Sequence, residues 1–548
     1  MGSKFLATLA LLPFVRAADL FFDVPITNVT VAPDGFPRQA IQAGTFPGSH
    51  ILANKGDTLH INVSMLQENP DMRQSTVIHW HGLFQMRTAS EDGPAFVNQC
   101  PIALNQFYQY IIPHMTSPLN NQTGTFWFHS HLSTQYVDGE RGVVVVYDPE
   151  DPLGHLYDVD DDSTIITLAD WYHSPAAGLM DQFRVDGITP VPSSGLLNGR
   201  YVGGPLVDYA VINVEQGKRF RVINQSAYAA FDFSIDDHIF DVIETDGIET
   251  VPLAVTGMHH PNQPAAQRYS IVLNATQPIN NYWIRAPIVV AQQSANHEQV
   301  FSDTSEPPMR SPLPLPPSST RFPRLKVAVE EEGETAVEEG VEKVVEEEVE
   351  TASPSSSRSL FDPGAPNGAN PPDRRLNLTF NSPGNGVWQI NGEVYVPPIL
   401  PTLLKVINGA TFADDFNTSE HTFVLQPNEV IELEIHGSDH GIIHPFHLHG
   451  HAFDVVKSSS GPENFVNPPR RDVIGVQQSG VIIQFRADNP GPWFLHCHID
   501  WHLEAGLAVV FAEDPEQQRT GDQSQIVKQT WLDLCPDYYA QPLDEQRK

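Results

Sequence analysis

The stretch "FLHCHIDWHLEAGL", Phe494 to Leu507, contains three histidines and one cysteine within seven residues. Neighbouring side chains of a β-strand point to opposite faces. If the stretch is a strand, Cys497 faces one side while His496 and His498 face the other. The sequence therefore predicts that this strand serves two separate sites, and that other parts of the chain complete each site.

Three further segments contain histidines at the same spacing: "STVIHWHGL" at 75–83, "GTFWFHSHLS" at 124–133 and "GIIHPFHLHGHAF" at 441–453. On a strand, each His-x-His pair presents both imidazoles on one face. One such pair is commonly structural, but four pairs in apolar contexts predict a cavity that holds several metal ions. The predicted ligands of this cluster are His79, His81, His129, His131, His447, His449, His496 and His498.

The remaining candidate ligands are Cys497, His444 and His502. His444 differs in parity from the pair that follows it, and Pro445 intervenes, so its ring can point away from the cluster. One thiolate and two imidazoles form a blue-copper electron-transfer site, whereas structural zinc prefers paired cysteines at short spacing. Leu507 stands ten residues after Cys497, where a sulfur-ligated blue copper has Met. Without that sulfur we expect a high reduction potential.

Cys497 and its two chain neighbours are thus assigned to different sites, which are joined by only a few covalent bonds. The sequence predicts a protein that takes up electrons one at a time at an outer copper and delivers them to a buried copper cluster. Dioxygen is the expected acceptor of several electrons at such a cluster.

The length of 548 residues is too great for one hydrophobic core and predicts about three domains. The 47 prolines and 37 glycines favour many short strands and turns over long helices. Three β-rich blocks, at 19–149, 150–301 and 373–548, predict an all-β fold of three sandwiches. The formal net charge of −36 excludes nucleic acid as a natural partner and disfavours an anionic membrane surface.

The first 18 residues, "MGSKFLATLALLPFVRAA", have a lysine before an apolar run and small residues at the end. This pattern predicts a cleaved secretory signal peptide. No other run approaches the length of a membrane span. Asn-x-Ser/Thr sequons indicate a glycosylated, secreted protein, and they begin at Asn28, Asn62, Asn121, Asn224, Asn274, Asn377 and Asn417.

Three cysteines are an odd number for an oxidising compartment. If Cys497 is a metal ligand, Cys100 and Cys535 remain to form a disulfide that ties the first domain to the C-terminal tail. Such a bridge would stabilise the protein by about 2–4 kcal/mol. Two unpaired thiols are the alternative.

Residues 302–372 differ in composition from the rest of the chain. They begin with a proline-rich segment and continue with eleven Glu and one Lys between Glu330 and Glu350. This composition predicts a solvated, partly helical or disordered linker. An acidic docking element is the alternative.

Taken in order, the motifs "HWHG", "EDGPAFVNQCPI", "GTFWFHSHLSTQY", "HPFHLHGHAF" and "HCHIDWHLEAGL" resemble those of the multicopper oxidases, and within them those of basidiomycete-type fungal laccases. The resemblance covers about residues 19–300 and 376–548. It implies three cupredoxin-like domains with Greek-key β-sandwich folds. It also implies four copper ions, with a trinuclear cluster between the first and third domains.

The same resemblance implies a role for each ligand. Cys497, His444 and His502 match the ligands of the type 1 copper, with Leu507 at the non-ligating axial position. The implied ligands of the other coppers are His79 and His447 for type 2 and, for the type 3 pair, His81, His129, His131, His449, His496 and His498.

Four residues carry the implied catalysis. Electrons enter at Cys497 and His502, and Asp92 and Asp500 match family carboxylates that supply protons as dioxygen becomes water. Simple turn or cap aspartates are the alternative for both carboxylates.

The chain departs from the family pattern at three places. Many relatives have a second disulfide where this sequence has Val137 and Ala227, so both halves are missing together. The next residue is often acidic in relatives and lies in the phenol pocket beside the type 1 histidine, whereas here it is Tyr228. We also find no counterpart of a short apolar strand of the second domain between Pro287 and Pro372.

The predicted function is that of a laccase, which oxidises phenols or aromatic amines by one electron each and reduces dioxygen to water. Its partners are then a small phenol or amine and dioxygen, and we expect a monomer. One alternative is a ferroxidase or other metal oxidase, which would need acidic residues near His444 and His502. A second alternative is a copper-binding or inactive protein with a defective second domain.

Overall fold

The computed structural model of the protein describes residues 17–113, 122–201, 211–214, 217–258, 264–273, 277–278, 281–290, 324–329, 358–361, 364–437, 442–542 and 546. The predicted signal peptide up to residue 16, and most of the predicted linker, lie outside these residues. The described chain folds into three β-sandwiches, which confirms the predicted fold class. No described helix is long and apolar enough to cross a membrane.

The first domain consists of two four-stranded sheets, ordered β2-β1-β4-β6 and β3-β8-β7-β5. The two sheets pack face to face because their strands have one apolar face. On β4, for example, alternate side chains are apolar, and Leu59, Ile61, Val63 and Met65 are all buried between the sheets. The strands are β1 (Asp19–Val31), β2 (Arg38–Ala43), β3 (His50–Asn54), β4 (Thr58–Met65), β5 (Ile78–His81), β6 (Phe107–Ile112), β7 (Gly124–Ser130) and β8 (Arg141–Tyr147).

The second domain has a six-stranded sheet, ordered β10-β9-β12-β17-β15-β16, a four-stranded sheet, ordered β11-β20-β18-β14, and the small pair β13-β19. Its elements are β9 (Ile165–Trp171), α1 (Ala176–Asp186), β10 (Ser194–Leu197), β11 (Val211–Val214), β12 (Lys218–Asn224), β13 (Ala230–Phe231), β14 (Ser234–Ile235), β15 (Phe240–Thr245), β16 (Ile248–Val255), β17 (Arg268–Leu273), β18 (Asn281–Arg285), β19 (Ile288–Val289) and β20 (Arg324–Val329).

Strand β20 lies within the segment that the sequence analysis treated as a linker. It pairs in parallel with β11 and antiparallel with β18, and so completes a sheet of the second domain. The chain also returns to this domain at Ser359, which bridges to Thr250 on β16. The structure therefore differs from the expectation that no strand of this domain lies between Pro287 and Pro372. The hydrophobic pattern of the sequence did not predict β20, because the segment "RLKVAV" is short and is followed by a run of glutamates.

The third domain has a six-stranded sheet, ordered β22-β21-β24-β29-β26-β27, and a five-stranded sheet, ordered β23-β31-β30-β25-β28. Its elements are β21 (Arg374–Gly384), β22 (Val387–Ile390), α2 (Thr402–Ile407), β23 (Thr422–Leu425), β24 (Val430–Gly437), β25 (His444–Leu448), β26 (Phe453–Lys457), β27 (Arg470–Arg471), β28 (Val473–Val476), β29 (Val481–Arg486), β30 (Gly491–Cys497), α3 (Asp500–Glu504), β31 (Ala508–Glu513), α4 (Pro515–Arg519) and α5 (Gln529–Ala540).

Short 3-10 helices connect several of these strands, at Ala89–Glu91, Gln135–Asp138, Gly154–Leu156, Asp162–Thr164, Ala413–Asp415 and Thr418–Glu420.

A disulfide joins Cys100 of the first domain to Cys535 of helix α5, as predicted. Around it, Trp531, Leu534 and Tyr538 of the same helix pack into the core of the first domain. The C-terminal helix is therefore anchored both by a covalent bond and by apolar burial.

Where many relatives have a second disulfide, this protein has two buried apolar side chains. Val137 and Ala227 stand at the two positions of that bridge and are 1% and 0% exposed, within one apolar cluster. Among the sequons, Asn224 is fully buried and its side-chain amide donates to the carbonyl of Ala229. This sequon cannot accept a glycan in the folded protein.

Candidate metal centre

The four His-x-His pairs lie at the ends of four strands from two domains. In the first domain β5 pairs with β7 so that His79 lies opposite His129. In the third domain β25 pairs with β30 so that His447 lies opposite His496. The two strand pairs face each other, and the ring centroids of His81 and His447 are only 3.8 Å apart. The cluster therefore lies between the first and third domains.

Within this cavity the imidazoles form close groups in which one ring nitrogen from each member lies within 4.8 Å of the others. The members of the cluster are all buried, with exposed fractions between 0% and 8%. The groups are His81 with His129 and His498, His131 with His449 and His496, and His79 with His81 and His447.

Protein groups orient these rings from behind. The Nδ1 atoms of His79 and His447 lie 2.8 and 2.9 Å from the backbone oxygens of Asp92 and Asp472. Those of His129 and His496 lie 2.8 and 3.0 Å from the carbonyl oxygens of the residues that follow them. Each bond places the proton on Nδ1 and leaves a lone pair on Nε2, which is the state that a metal ligand needs.

The donor set fits metal ions. The Nε2 atoms of His79, His129, His447 and His498 are buried and have no hydrogen-bond partner among the described residues. The Nε2 atoms of His449 and His496 lie 3.1 Å apart, and each Nδ1 faces an oxygen acceptor, so the two lone pairs face each other. A shared cation would relieve that repulsion.

The protonation states agree with this fit. Burial is the main cause that lowers the pKa of His81 and of His131 well below its usual value, and neighbouring imidazoles add to it. Burial also lowers the pKa of His496 to about 3. These three rings are therefore neutral near pH 7 and available as ligands.

The second set of candidate ligands forms a separate, smaller group. The Sγ atom of Cys497 lies 3.6 Å from Nδ1 of His444 and 3.9 Å from Nδ1 of His502, and those two nitrogens are 3.3 Å apart. Cys497 and His502 are 0% exposed. Leu507 is buried as well, and its backbone oxygen accepts a hydrogen bond from the backbone N–H of Cys497. One sulfur and two imidazoles match a blue-copper ligand set.

The structure thus brings the eleven candidate ligands into two sites, and the segment from His496 to His498 borders both. His502 has a further contact that the sequence analysis missed. Its Nε2 atom lies 3.0 Å from the hydroxyl of Thr189, which is 4% exposed. Because Nδ1 faces Cys497, the proton lies on Nε2, and this N–H donates a hydrogen bond to the hydroxyl of Thr189. No motif in the sequence marks this threonine.

The surroundings of His502 are aromatic and apolar. The ring of Trp388 lies 4.4 Å and that of Phe183 6.3 Å from the His502 ring, centroid to centroid. The chain segment that carries Thr189 also exposes Ile188 and Val191, which are 57% and 40% accessible.

Tyr228 is almost completely enclosed, at 7% exposed, within the main apolar core cluster. Its backbone N–H donates to the carboxylate of Asp170. The same core contains Tyr172, whose hydroxyl accepts a hydrogen bond from the indole of Trp501, the residue before His502. Tyr228 is therefore part of the packed core that also contains Cys497 and Trp501.

The two candidate proton donors are both buried carboxylates. One oxygen of Asp92 lies 3.0 Å from Nδ1 of His449, and the other lies 3.2 Å from Nδ1 of His79. Burial raises the pKa of Asp92, against the opposing effect of His79. Burial also raises the pKa of Asp500 well above its usual value, and negative charge on Glu504 adds to this.

A cavity of about 610 Å³ has the predicted cluster ligand His131 in its wall. Phe494, Tyr395 and Leu503 also line this cavity, whereas His502 is not among its lining residues.

Comparisons with known proteins agree with this geometry. Three family models, each described as multicopper oxidase, match residues 25–151, 162–304 and 395–517. The chain is 45% identical to Laccase-2 of Agaricus bisporus over 546 residues, which is 98% of both chains. It therefore belongs to the multicopper oxidase family. Within that family its sequence is similar to basidiomycete laccases.

Two solved structures have the same fold. One is the laccase from Botrytis aclada, with a TM-score of 0.74, 27% identity and coverage of 96% of this chain and 92% of that one. The other is Fet3p, described as a multicopper oxidase that functions in iron import, with a TM-score of 0.76, 25% identity and 94% of both chains covered.

Proposed function

We propose that the protein is a laccase, which couples four one-electron oxidations of phenols or aromatic amines to the four-electron reduction of dioxygen to water. The observation that carries this function is the position of Cys497. It faces His444 and His502 in one metal site, while the residues on either side of it face the histidine cluster. Two metal sites joined by a peptide segment suit an enzyme that collects single electrons and uses them in a multi-electron reduction.

The ligand assignment is part of this proposal. Cys497, His444 and His502 would hold the type 1 copper. When bound, copper would supply one-electron redox chemistry at this site and dioxygen reduction at the cluster. The cluster ligands would be His79 and His447 for type 2 and His81, His129, His131, His449, His496 and His498 for the type 3 pair.

The residues around His502 favour an organic substrate. Besides the other two ligands, the side chains near its ring include Thr189, Trp388 and Phe183, which are neutral or aromatic. A ferrous ion would be better bound by carboxylates, which prefer hard cations. We propose that a phenol docks on the apolar surface near Ile188 and Val191 and that Thr189 mediates its contact with His502. Tyr228 forms an inner wall of the same region.

Proton supply would come from the two buried carboxylates. Asp92 holds His449 through one oxygen and can bind a proton at the other, and Asp500 keeps an unpartnered Oδ2 in the described structure. Burial raises the pKa of both groups, which favours the protonated carboxyl that a proton donor needs. Each would transfer its proton to a basic oxygen as dioxygen is reduced.

We further propose that the protein is secreted to the extracellular space as a glycosylated monomer. The N-terminal 18 residues and the exposed sequons at Asn377 and Asn417 support secretion and glycosylation. Secretion is tested by N-terminal sequencing of protein from the culture medium, and the monomer by sedimentation analysis.

The enzymatic proposal is tested with purified, copper-loaded protein in an oxygen electrode. We expect oxygen uptake with 2,6-dimethoxyphenol, with four phenols oxidised for each dioxygen and no hydrogen peroxide released. Ferrous sulfate serves as the competing substrate at the same concentration. A higher kcat/KM for ferrous ion than for the phenol would replace the laccase assignment with that of a ferroxidase.

A further inference from the structure

None of the eleven candidate ligands comes from the second domain. One side chain of that domain nevertheless contacts Asp472, a residue that lies against the cluster rings on the side away from the metal cavity. Arg268, the first residue of β17, is 0% exposed. Its Nε–H donates to the backbone oxygen of Thr125 on β7 at 3.0 Å. Its two terminal nitrogens donate to both carboxylate oxygens of Asp472 at 2.6 and 2.7 Å. A single guanidinium therefore ties together all three domains.

Asp472 in turn contacts rings from both sides of the cluster. Its backbone oxygen accepts the hydrogen bond from Nδ1 of His447 at 2.9 Å. Its Oδ1 atom lies 3.4 Å from Nε2 of His81. Nε2 of His81 makes no hydrogen bond among the described residues, so this contact is electrostatic. The negative charge favours the tautomer of His81 with the proton on Nε2, which leaves Nδ1 with a lone pair for a metal ion.

The fit around the guanidinium leaves little freedom. Gly82 directly follows His81, and a Cβ atom built on it would lie 2.4 Å from a terminal nitrogen of Arg268 and 2.8 Å from Oδ2 of Asp472. On the other side, Asp246 accepts hydrogen bonds from the backbone of Arg268 and from the side chain of Arg471. The carboxylate of Asp472 is thus held in one place beside His81.

We propose that Arg268 and Asp472 form a positioning pair through which the second domain sets the geometry of the metal site at His79, His81 and His447. The pair contacts the ring atoms of His81 and His447 that do not face the metal cavity, and it binds no metal itself. This inference rests on the proposed copper assignment. It gives the second domain a role in cluster assembly beyond its own fold.

The test uses the full-length, copper-loaded protein and the variants Asp472→Asn and Arg268→Lys. Asp472→Asn keeps the shape of the side chain and the backbone carbonyl but removes the negative charge. Arg268→Lys keeps the positive charge but loses the paired hydrogen bonds and the bond to Thr125. Arg221→Lys is the matched control, because Arg221 is also buried in the second domain and makes a similar paired contact with Asp160, at 2.8 and 2.6 Å.

Copper retention against EDTA and the electron paramagnetic resonance spectrum are measured, together with the blue absorption band. Both test variants should lose copper from the histidine cluster at least about ten-fold faster than the wild type, because groups that orient a metal ligand typically change metal affinity by roughly 10–100-fold. The blue band should keep its intensity, since the type 1 ligands are not touched. The Arg221→Lys control should lower the unfolding temperature without faster loss of cluster copper.

Wild-type rates of copper loss from the histidine cluster in Asp472→Asn would overturn the proposal and leave the pair a purely structural contact. If Arg268→Lys does not fold, Asp472→Asn alone decides. Failure of the proposed function would look different, because the wild-type protein itself would then lack the blue band or phenol oxidation.

Discussion

The Sγ atom of Cys497 lies 3.6 Å from Nδ1 of His444 on the neighbouring strand, and both side chains are buried. Replacing Cys497 with Ser should abolish the blue colour and reduce phenol oxidation to background, because a hydroxyl is a poor copper ligand beside a thiolate. The histidine cluster does not include this side chain, so three of the four coppers should remain. Absorption spectra and copper analysis check both expectations. A blue Cys497→Ser protein would contradict the assignment.

The hydrogen bond between His502 and Thr189 should tune the type 1 site. An acceptor on Nε2 makes the imidazole a stronger donor and favours oxidised copper. Thr189→Val removes the acceptor, so the reduction potential should rise by roughly 40 mV, which corresponds to about 1 kcal/mol for one electron. Thr189→Ser is the control and should keep the wild-type potential in a redox titration. Equal potentials in the valine and serine variants would exclude this role.

Tyr228→Asp should raise the ratio of kcat/KM for aromatic amines to that for neutral phenols in mildly acidic buffer. A carboxylate in this region can form a charge-assisted hydrogen bond worth about 1.5–3 kcal/mol, or roughly ten-fold in specificity. The new carboxylate lies near buried Asp170, so the variant should also be less stable. Assays therefore run well below its unfolding temperature. An unchanged ratio in a still-blue protein would assign Tyr228 to packing alone.

Glu140 should make stability depend on pH. It is 0% exposed, its hydrogen bond to the hydroxyl of Thr76 leaves one carboxylate oxygen unpartnered in the described structure, and burial raises its pKa from 4.5 to about 8. The folded protein therefore binds a proton that the unfolded chain releases between about pH 4.5 and pH 8. The stabilising effect is complete below pH 4.5 and is lost as the pH rises to about 8.

Glu140→Gln removes this dependence. The free energy of unfolding of Glu140→Gln should rise relative to that of the wild type as the pH rises through the same window and then level off, with a maximum slope of about 1.4 kcal/mol per pH unit. The difference between the two unfolding temperatures should follow the same trend. Scanning calorimetry at one scan rate across pH 4 to pH 9, in steps of roughly one unit, measures the difference. Glu150→Gln on the surface is the control and should follow the wild type. A constant difference at all pH values would rule out a titrating Glu140.

The disulfide should contribute stability without affecting the metal sites. Replacing Cys100 and Cys535 together with Ala should lower the free energy of unfolding by about 2–4 kcal/mol. Neither residue belongs to a candidate metal group, so the blue colour and copper content should persist. Guanidinium unfolding followed by fluorescence checks the first expectation. Loss of cluster copper in the folded double variant would show that the bridge holds the cluster together across the domain boundary.

The candidate ligands could be found from the sequence because their pattern is local. A strand places alternate side chains on one face, so His-x-His spacing and the opposite parity of Cys497 follow from backbone geometry alone. The same rule, with the turn residues, predicted three β-sandwiches and left Cys100 and Cys535 as the disulfide. It did not predict β20, since a short strand is recognisable mainly by the partners it pairs with.

Contacts between domains required the tertiary structure. Thr189 touches His502 across 313 positions of sequence, and Arg268 meets Asp472 across 204, and neither pair belongs to a repeating pattern. A hydrogen bond depends on tenths of an ångström and on which faces pack together, and those are decided by the burial of whole sheets. The sequence by itself therefore determined which side chains can bind metal. Only the packing of the three domains decided which neighbours orient those side chains and which surface a substrate can reach.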